Sequence, residues 1–196
     1  MQPRHLAVFV KAPRLGTVKR RLAAGVGAVE ATRIYRAMSA TVLRRLARDR
    51  RWRTSLWVTP DRARANWPVR VPRIAQGPGD LGARMIRPFR RWPRALVLVV
   101  GSDIPDLAPR HVAAAFARLA GHDAVFGPAA DGGYWLLGLR GGAHKGAPFR
   151  AVRWSTPHAL SDSLAALPCR RVALAERLHD IDDAEAYKAW RRRERG

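Results

Sequence analysis

The chain has 196 residues, nearly half of them apolar, enough to bury one core without disulfide or metal staples. A single cysteine, Cys169, excludes an internal disulfide and a cysteine-based zinc site, which points to a reducing, cytoplasmic setting. Lysine and arginine number 37 against 15 acidic residues, a formal charge of +22, and this excess favours anionic partners (nucleotides, nucleic acids, acidic membranes) without choosing among them.

Short apolar runs alternate with segments of helical period, the pattern of a mainly parallel sheet covered by helices. Residues 6–10 read as a first, buried strand; they are too few for a signal peptide or a membrane span. A Pro/Gly loop follows through Gly16. Ala31, Tyr35, Met38, Val42 and Leu46, widened by Ile34 and Leu43, then form a helical stripe that should pack on the sheet. Residues 56–59 and 69–74 read as short strands, Pro72 placing the second at an edge or in an irregular position. Leu81, Met85 and Phe89 mark a helix that Pro88 should end or kink. Residues 95–100 are six consecutive apolar residues, the signature of a central strand buried on both faces. Val112, Ala115, Phe116 and Leu119 mark the next helix, with Asp106 suited to cap it and Pro109 to its first turn. Residues 123–126 and 134–139 are strand candidates, and residues 141–148 form a glycine-rich loop expected to be mobile. A helix near 157–167, a strand at 171–174, a final helix from about 183 to 190 and a frayed basic tail at 191–196 complete the chain. No internal repeat or linker divides it, so one domain over residues 1–196 is expected.

Three segments carry chemistry. The loop from Lys11 to Leu22 places Gly16 and several cations after the first strand, where backbone amides and side chains can meet phosphate oxygens; a turn with solvated cations is the plainer alternative, and the Walker spacing is absent. Asp103 follows the central strand at the carboxyl edge where open α/β sheets bind ligands. A lone aspartate suffices there for Mg²⁺, which fills its other positions with water and substrate phosphate; a turn or helix-cap aspartate before Pro105 is the plainer, less favoured alternative. Asp180-Ile181-Asp182-Asp183 forms a second carboxylate cluster. Alternation sets Asp180 and Asp182 on one side, as shared metal coordination needs, while Asp182 with Glu185 also fits a helix-capping pair. Gln76 and the glycines after it can approach a ligand, the amide reading a base edge, or can form a simple turn. No HExxH, comparable histidine spacing or GxSxG elbow is present, which removes zinc and serine hydrolases. The seven tryptophans are scattered, as for packing rather than base stacking.

Taken in order, Lys11-Ala12-Pro13 with Gly16, Lys19, Arg21 and Leu22; Gln76 with Gly79-Asp80-Leu81-Gly82 and Arg84-Met85; Gly101-Ser102-Asp103 with Pro105 and Leu107; Gly127-Pro128 with Asp131-Gly132-Gly133-Tyr134; and Trp154-Ser155-Thr156 with Asp180-Ile181-Asp182 resemble a bacterial family of the nucleotide-diphospho-sugar transferase (GT-A) superfamily. That family, formerly of unknown function and labelled arsenosugar-biosynthesis glycosyltransferase-like, is similar to 2-phospho-L-lactate guanylyltransferase. The resemblance runs from about Val10 to Tyr187. It departs at Arg20, where the family carries threonine, and at Asp183, Ala184 and Ala186 of the closing motif.

The resemblance implies a three-layer α/β/α sandwich, a Rossmann-like GT-A fold with a mixed, mostly parallel sheet. It implies nucleotide binding by Lys11, Pro13, Gly16, Lys19, Gln76, Gly79, Asp80, Leu81, Gly82, Arg84 and Ser102. Asp103 and Asp182 would hold Mg²⁺ or Mn²⁺; Gly132, Gly133 and Tyr134 would face a small-molecule acceptor; and Lys19, Arg21, Asp103 and Asp131 would carry catalysis. The donor would be a nucleoside triphosphate or a nucleotide sugar. In nucleotidyl transfer an acceptor phosphate attacks the α-phosphorus and pyrophosphate leaves; in glycosyl transfer the anomeric carbon is attacked, with Asp131 as base. The non-enzymatic rival is a basic module that binds nucleic acid in a salt-dependent, metal-independent way.

Overall fold

The computed structural model describes residues 2–140, 149–168 and 171–193. In chain order its elements are β1 (Arg4–Lys11), α1 (Arg20–Val26), α2 (Ala28–Ala47), β2 (Arg53–Thr59), β3 (Arg73–Ala75), α3 (Leu81–Arg91), β4 (Leu96–Val100), α4 (Pro109–Gly121), β5 (Ala124–Pro128), β6 (Tyr134–Leu139), α5 (Ala159–Ala166), β7 (Val172–Leu174) and α6 (Ala184–Arg193). The strands form one seven-stranded sheet in the order β3-β2-β1-β4-β6-β5-β7. Only β6 runs against its neighbours β4 and β5; the other pairings are parallel.

Side-chain alternation along the strands builds the two outer layers. Leu6, Val8 and Val10 of β1 join Leu98 and Val100 of β4 against α2 and α4, where Val42, Leu46, Phe116 and Leu119 close the core. Ala7 of β1 and Val97 and Val99 of β4 face the opposite way, toward Met85, Ile86 and Phe89 of α3. β4, fourth of seven strands, is therefore covered on both faces, and all five of its residues are buried, as its unbroken apolar run requires. Each such side chain contributes about 1.5–3 kcal/mol through removal from water. A third cluster, Leu22, Ala31, Ile34, Met38 and Ile181, fastens α1 and the start of α6 to α2.

The elements follow the sequence pattern with several corrections. β2 starts three residues ahead of the expected 56, at Arg53, and the strand expected over 69–74 shrinks to Arg73–Ala75 at the sheet edge. Pro72 has no N–H to donate; its carbonyl instead accepts from Leu56 at 2.9 Å. Helix α3 neither ends nor breaks at Pro88 but continues to Arg91. Met85, Ile86, Pro88 and Phe89 are all buried, and that shared burial offsets the lost main-chain bond. Asp106 does not cap α4: the N-cap is Ala108, whose N–H donates to His111 Nδ1 at 3.1 Å. The basic tail is helical through Arg193, with arginines in the last turn complementing the helix dipole and Arg193 reaching Asp106 at 3.5 Å. The glycine-rich loop 141–148 and Cys169 lie outside the described residues. Among those described, no helix is long and apolar enough to cross a membrane.

Gly138 on β6 pairs with Leu98 on β4, and a Cβ there would lie 2.5 Å from Leu98 Cδ2 and 3.2 Å from Leu119 Cδ2. The sheet and α4 close only over a bare backbone at this point. Gly138→Ala is expected to cost about 1–3 kcal/mol by overpacking and Leu98→Ala about 2–5 kcal/mol by cavity formation. In urea unfolding the double variant should lose less than the two combined, because each change relieves the other; strict additivity would contradict the contact.

Candidate functional site

Because every strand except β6 runs in the same direction, the loops that follow those six strands open on one edge of the sheet. From β1 the chain steps outward to β2 and β3, then returns to place β4 on the other side of β1. That reversal is a topological switch point, where the loops after β1 and β4 diverge and leave a crevice.

The loop after β1 is held by its main chain. Ala12 N–H donates to Thr59 O at 2.8 Å, Arg14 N–H to Ala12 O at 2.8 Å and Thr17 N–H to Arg14 O at 3.1 Å. Tyr35 of α2, which the helical stripe identified only as a packing residue, fastens the loop's origin: its hydroxyl accepts from Lys11 N–H and donates to Lys11 O, both at 3.0 Å. Burial raises the Tyr35 phenol above its ordinary pKa, so it stays a neutral clamp. Pro13 O accepts from Arg36 Nη2 at 3.2 Å, and Gly16 is exposed in the turn.

Lys19, the N-cap of α1, has φ 47° and ψ 54°, a left-handed conformation uncommon for a residue with a side chain and characteristic of functional positions. This turn carries the side chain inward, where only 5% of it is exposed. Its Nζ donates to Asp103 Oδ2 at 2.7 Å and to Asp182 Oδ1 at 2.6 Å. Arg21 Nη2 donates to the other oxygen of Asp182, Oδ2, at 2.6 Å. Burial alone would lower the Lys19 pKa, but the two carboxylates outweigh it and hold the ammonium above its usual range. Burial pushes the Asp103 carboxyl up, yet Lys19 brings it below the ordinary value. Both expected metal ligands thus meet, with a lysine between them.

Asp182 is available because its neighbour does the capping. Asp183 Oδ1 accepts from Ala186 N–H at 2.8 Å at the start of α6, and Glu185 pairs with Lys188, so the Asp182–Glu185 capping pair does not form. Ile181 is buried in the third core cluster, which turns Asp180 and Asp182 to the opposite side, as alternation requires. Asp131, from the β5–β6 turn, joins them: one oxygen from each of Asp131, Asp180 and Asp182 lies within 4.8 Å of the others. Burial and the charges of Asp182, Asp131 and Asp103 push the Asp180 carboxyl up to about 6.

The remaining predicted residues fall into place unevenly. Gln76 is buried, and its Nε2 donates to Trp57 O at 2.8 Å and Val10 O at 3.4 Å, so the amide donor joins strand ends instead of projecting toward a base. Asp80 caps α3 by accepting from Ala83 N–H at 2.8 Å. Gly82 is a packing position, since a Cβ there would meet Phe149 at 2.7 Å and Trp154 at 2.9 Å. Leu81 is exposed, and Arg84 Nε donates to Gly79 O at 2.9 Å. Ser102 is buried beside Asp103. Gly132 has φ 84°, and a Cβ would lie 2.3 Å from Pro157 O; it makes the turn that presents Asp131. Asp131 Oδ1 accepts from Gly133 N–H at 2.9 Å. The Tyr134 ring packs edge-on against Phe126, and its hydroxyl accepts from Ser163 at 3.2 Å.

Two cavities meet at this edge. A cleft of about 640 Å³ is lined by Lys11, Lys19, Gln76, Arg84, Ser102 and Asp103, among others. A second, of about 560 Å³, includes Asp131, His179, Asp180 and Arg192. Arg21 and Asp182 line both, so one ion pair stands between the two spaces.

The sheet order, the helices on both faces and the crevice at the switch point define a Rossmann-like α/β sandwich of GT-A type. The chain belongs to the bacterial family described as "Uncharacterized protein conserved in bacteria (DUF2064)", whose model matches residues 42–156. It is similar to a Desulfovibrio desulfuricans G20 protein assigned as a nucleotide-diphospho-sugar transferase, at 28% identity and a TM-score of 0.83 over 98% of this chain and 88% of that one. In fold it also resembles a CMP:2-keto-3-deoxy-manno-octonic acid synthetase complexed with CTP (12% identity, TM-score 0.60, 98% of each chain). A further fold neighbour is Rv0371C from Mycobacterium tuberculosis H37Rv in complex with manganese (14% identity, TM-score 0.51, 96% of this chain and 97% of that one). No curated protein matches the sequence.

The division of labour between neighbouring aspartates is testable. Asp183→Ala should cost about 1 kcal/mol of stability through loss of the cap, whereas Asp183→Asn should be nearly neutral. Equal destabilisation by both variants in thermal unfolding would remove the capping assignment.

Proposed function

We propose that the protein is a metal-dependent transferase that takes a nucleotide-activated donor and passes a group from the donor's phosphates to a small-molecule acceptor. The observation that carries this reading is the meeting of Lys19 and Arg21 with Asp103 and Asp182 at the switch point of a GT-A-type sheet. The similarity to a protein assigned as a nucleotide-diphospho-sugar transferase supports it.

In this reading the larger cleft takes the donor. Lys11, Lys19, Arg21 and Arg84 offer cationic donors to phosphate oxygens, with the loop before α1 supplying main-chain amides. The second cavity, across Arg21 and Asp182, takes the acceptor, with Asp131 on its wall. Asp103, Asp180, Asp182 and Asp131 present only oxygen donors, the set that suits Mg²⁺ or Mn²⁺, and three of them already converge. These residues would hold the ion, which when bound neutralises phosphate charge. The density of cations on the donor cleft favours nucleotidyl transfer, in which Lys19 and Arg21 stabilise charge gathering on departing pyrophosphate. In the glycosyl alternative Asp131 takes the proton of an acceptor hydroxyl.

A thermal-shift panel of the four nucleoside triphosphates and common sugar nucleotides, with and without Mg²⁺ or Mn²⁺, tests the class. At least one nucleotide should raise Tm only when metal is present, and indifference to the whole panel sinks the proposal. Lys19→Ala and Arg21→Ala should each weaken binding of that nucleotide by about 1.5–3 kcal/mol, the worth of a charge-assisted hydrogen bond.

For turnover, Asp103→Asn and Asp182→Asn should each remove most activity, and the double variant should be little worse than the weaker single, as for groups acting as a unit. A fully additive double variant in steady-state kinetics would place the two carboxylates in separate roles.

A further inference from the structure

Lys19 and a divalent ion compete for the same oxygens. Its Nζ lies 2.7 Å from Asp103 Oδ2 and 2.6 Å from Asp182 Oδ1, while Mg²⁺ sits about 2.0–2.1 Å from its ligand oxygens. An ion on both carboxylates would share the ammonium's position or press against a like charge. The remaining oxygen of Asp182 is taken by Arg21. We infer that Lys19 is the resident counter-cation of the ligand-free site, and that a divalent ion gains Asp103 and Asp182 only as an anionic ligand draws the ammonium away. The site is thus closed by its own lysine, and metal and polyphosphate bind as a coupled pair.

Three features suit Lys19 to this exchange. Its ammonium is a compact charge on a flexible four-carbon stem, able to turn without moving the fold. The bridge is not needed to anchor the loop after β1, which Tyr35 and the main-chain bonds of Ala12, Arg14 and Thr17 hold independently. The cleft beside it is lined by Lys11, Arg20 and Arg84, which would gather the phosphates toward which Lys19 swings. The inference rests on the proposed nucleotide-and-metal reading for the identity of the anion, but the exchange itself is tested with metal alone.

Mn²⁺ binding to the full chain without nucleotide, followed by loss of the free-ion electron paramagnetic resonance signal, should be weak in the wild type. It should be at least tenfold tighter in Lys19→Met, and weak again in Lys19→Arg, which keeps the cation. Adding Asp103→Asn to Lys19→Met should erase the gain, placing the ion on the vacated carboxylates. A purely structural bridge predicts instead that Lys19→Met lowers stability and leaves Mn²⁺ affinity unchanged or weaker, and that result overturns the inference.

Should Lys19→Met fail to fold, the wild type carries the test. The chain has four lysines, so ¹⁵N-detected side-chain ammonium spectra are simple. The Lys19 signal should be protected from exchange in the ligand-free protein, unmoved by Mg²⁺ alone, and shifted by Mg²⁺ with inorganic pyrophosphate. A Lys19 ammonium displaced by Mg²⁺ alone, or unmoved by both together, refutes the coupling. Tighter Mn²⁺ binding by Lys19→Met in a protein that ignores every nucleotide would leave the exchange standing and remove the transferase reading.

Discussion

The site depends on one ammonium group held between two carboxylates. Lys19 joins Asp103, 84 residues away, to Asp182, 163 residues away, and so ties the loop after β1 to the end of β4 and to the segment that leads into α6. Removing one partner of a buried ion pair costs about 3–5 kcal/mol, because the charge left behind has lost its compensation. Both aspartates here are partly exposed, at 37% and 32%, so solvent moderates that figure. A partner that is strongly held yet reachable from solvent can be exchanged for another cation or anion, whereas a fully enclosed pair could not.

The surrounding fold is arranged to bring these three groups together. β1 and β4 are neighbours only because the chain doubles back after β3. The continuous burial of β4 fixes where Asp103 emerges. The left-handed turn at Lys19 points its side chain into the sheet edge. Asp183 takes the helix-capping duty and Ile181 takes the core position, which together turn Asp182 toward the lysine. The loop segment before Asp182 is itself aligned by the sheet, since Ala129 and Leu178 form a parallel bridge that extends the β5–β7 pairing past the strand ends.

Much of the architecture was readable because burial imposes a period. The apolar run at 95–100 and the stripe from Ala31 to Leu46 became β4 and α2 in near-identical positions. Proline was the weaker guide: Pro88 was weighed by its local cost, but the apolar face on either side decided the matter. Carboxylates were legible as a set and ambiguous as individuals. Asp182 and Asp183 have the same chemistry one residue apart, and only the direction of the chain at α6 distributes capping and pairing between them. Gln76 shows the converse difficulty, since a polar residue in a glycine-rich segment looks the same whether its amide serves a ligand or two strand ends. The Lys19 bridge itself lay beyond sequence reasoning, because a lysine in a cationic loop carries no mark of a left-handed backbone or of carboxylates that arrive from the far side of the fold.

Charge distribution supplies the last argument. The chain carries 15 acidic residues against 37 basic ones, and several of the acids are paired singly with a nearby arginine, as Glu30 with Arg33, Asp49 with Arg51 and Asp162 with Arg153. Four others, Asp103, Asp131, Asp180 and Asp182, gather at one sheet edge closely enough that the charges of the other three help push the Asp180 carboxyl up. Crowding scarce carboxylates in this way opposes folding, and arrangements of that kind concentrate at functional sites. A surface built to bind nucleic acid gains nothing from it, since the cluster would repel a phosphate backbone. A site that must hold a cation beside an anionic ligand requires both halves of the arrangement, the cations of the larger cleft and the carboxylates beside them.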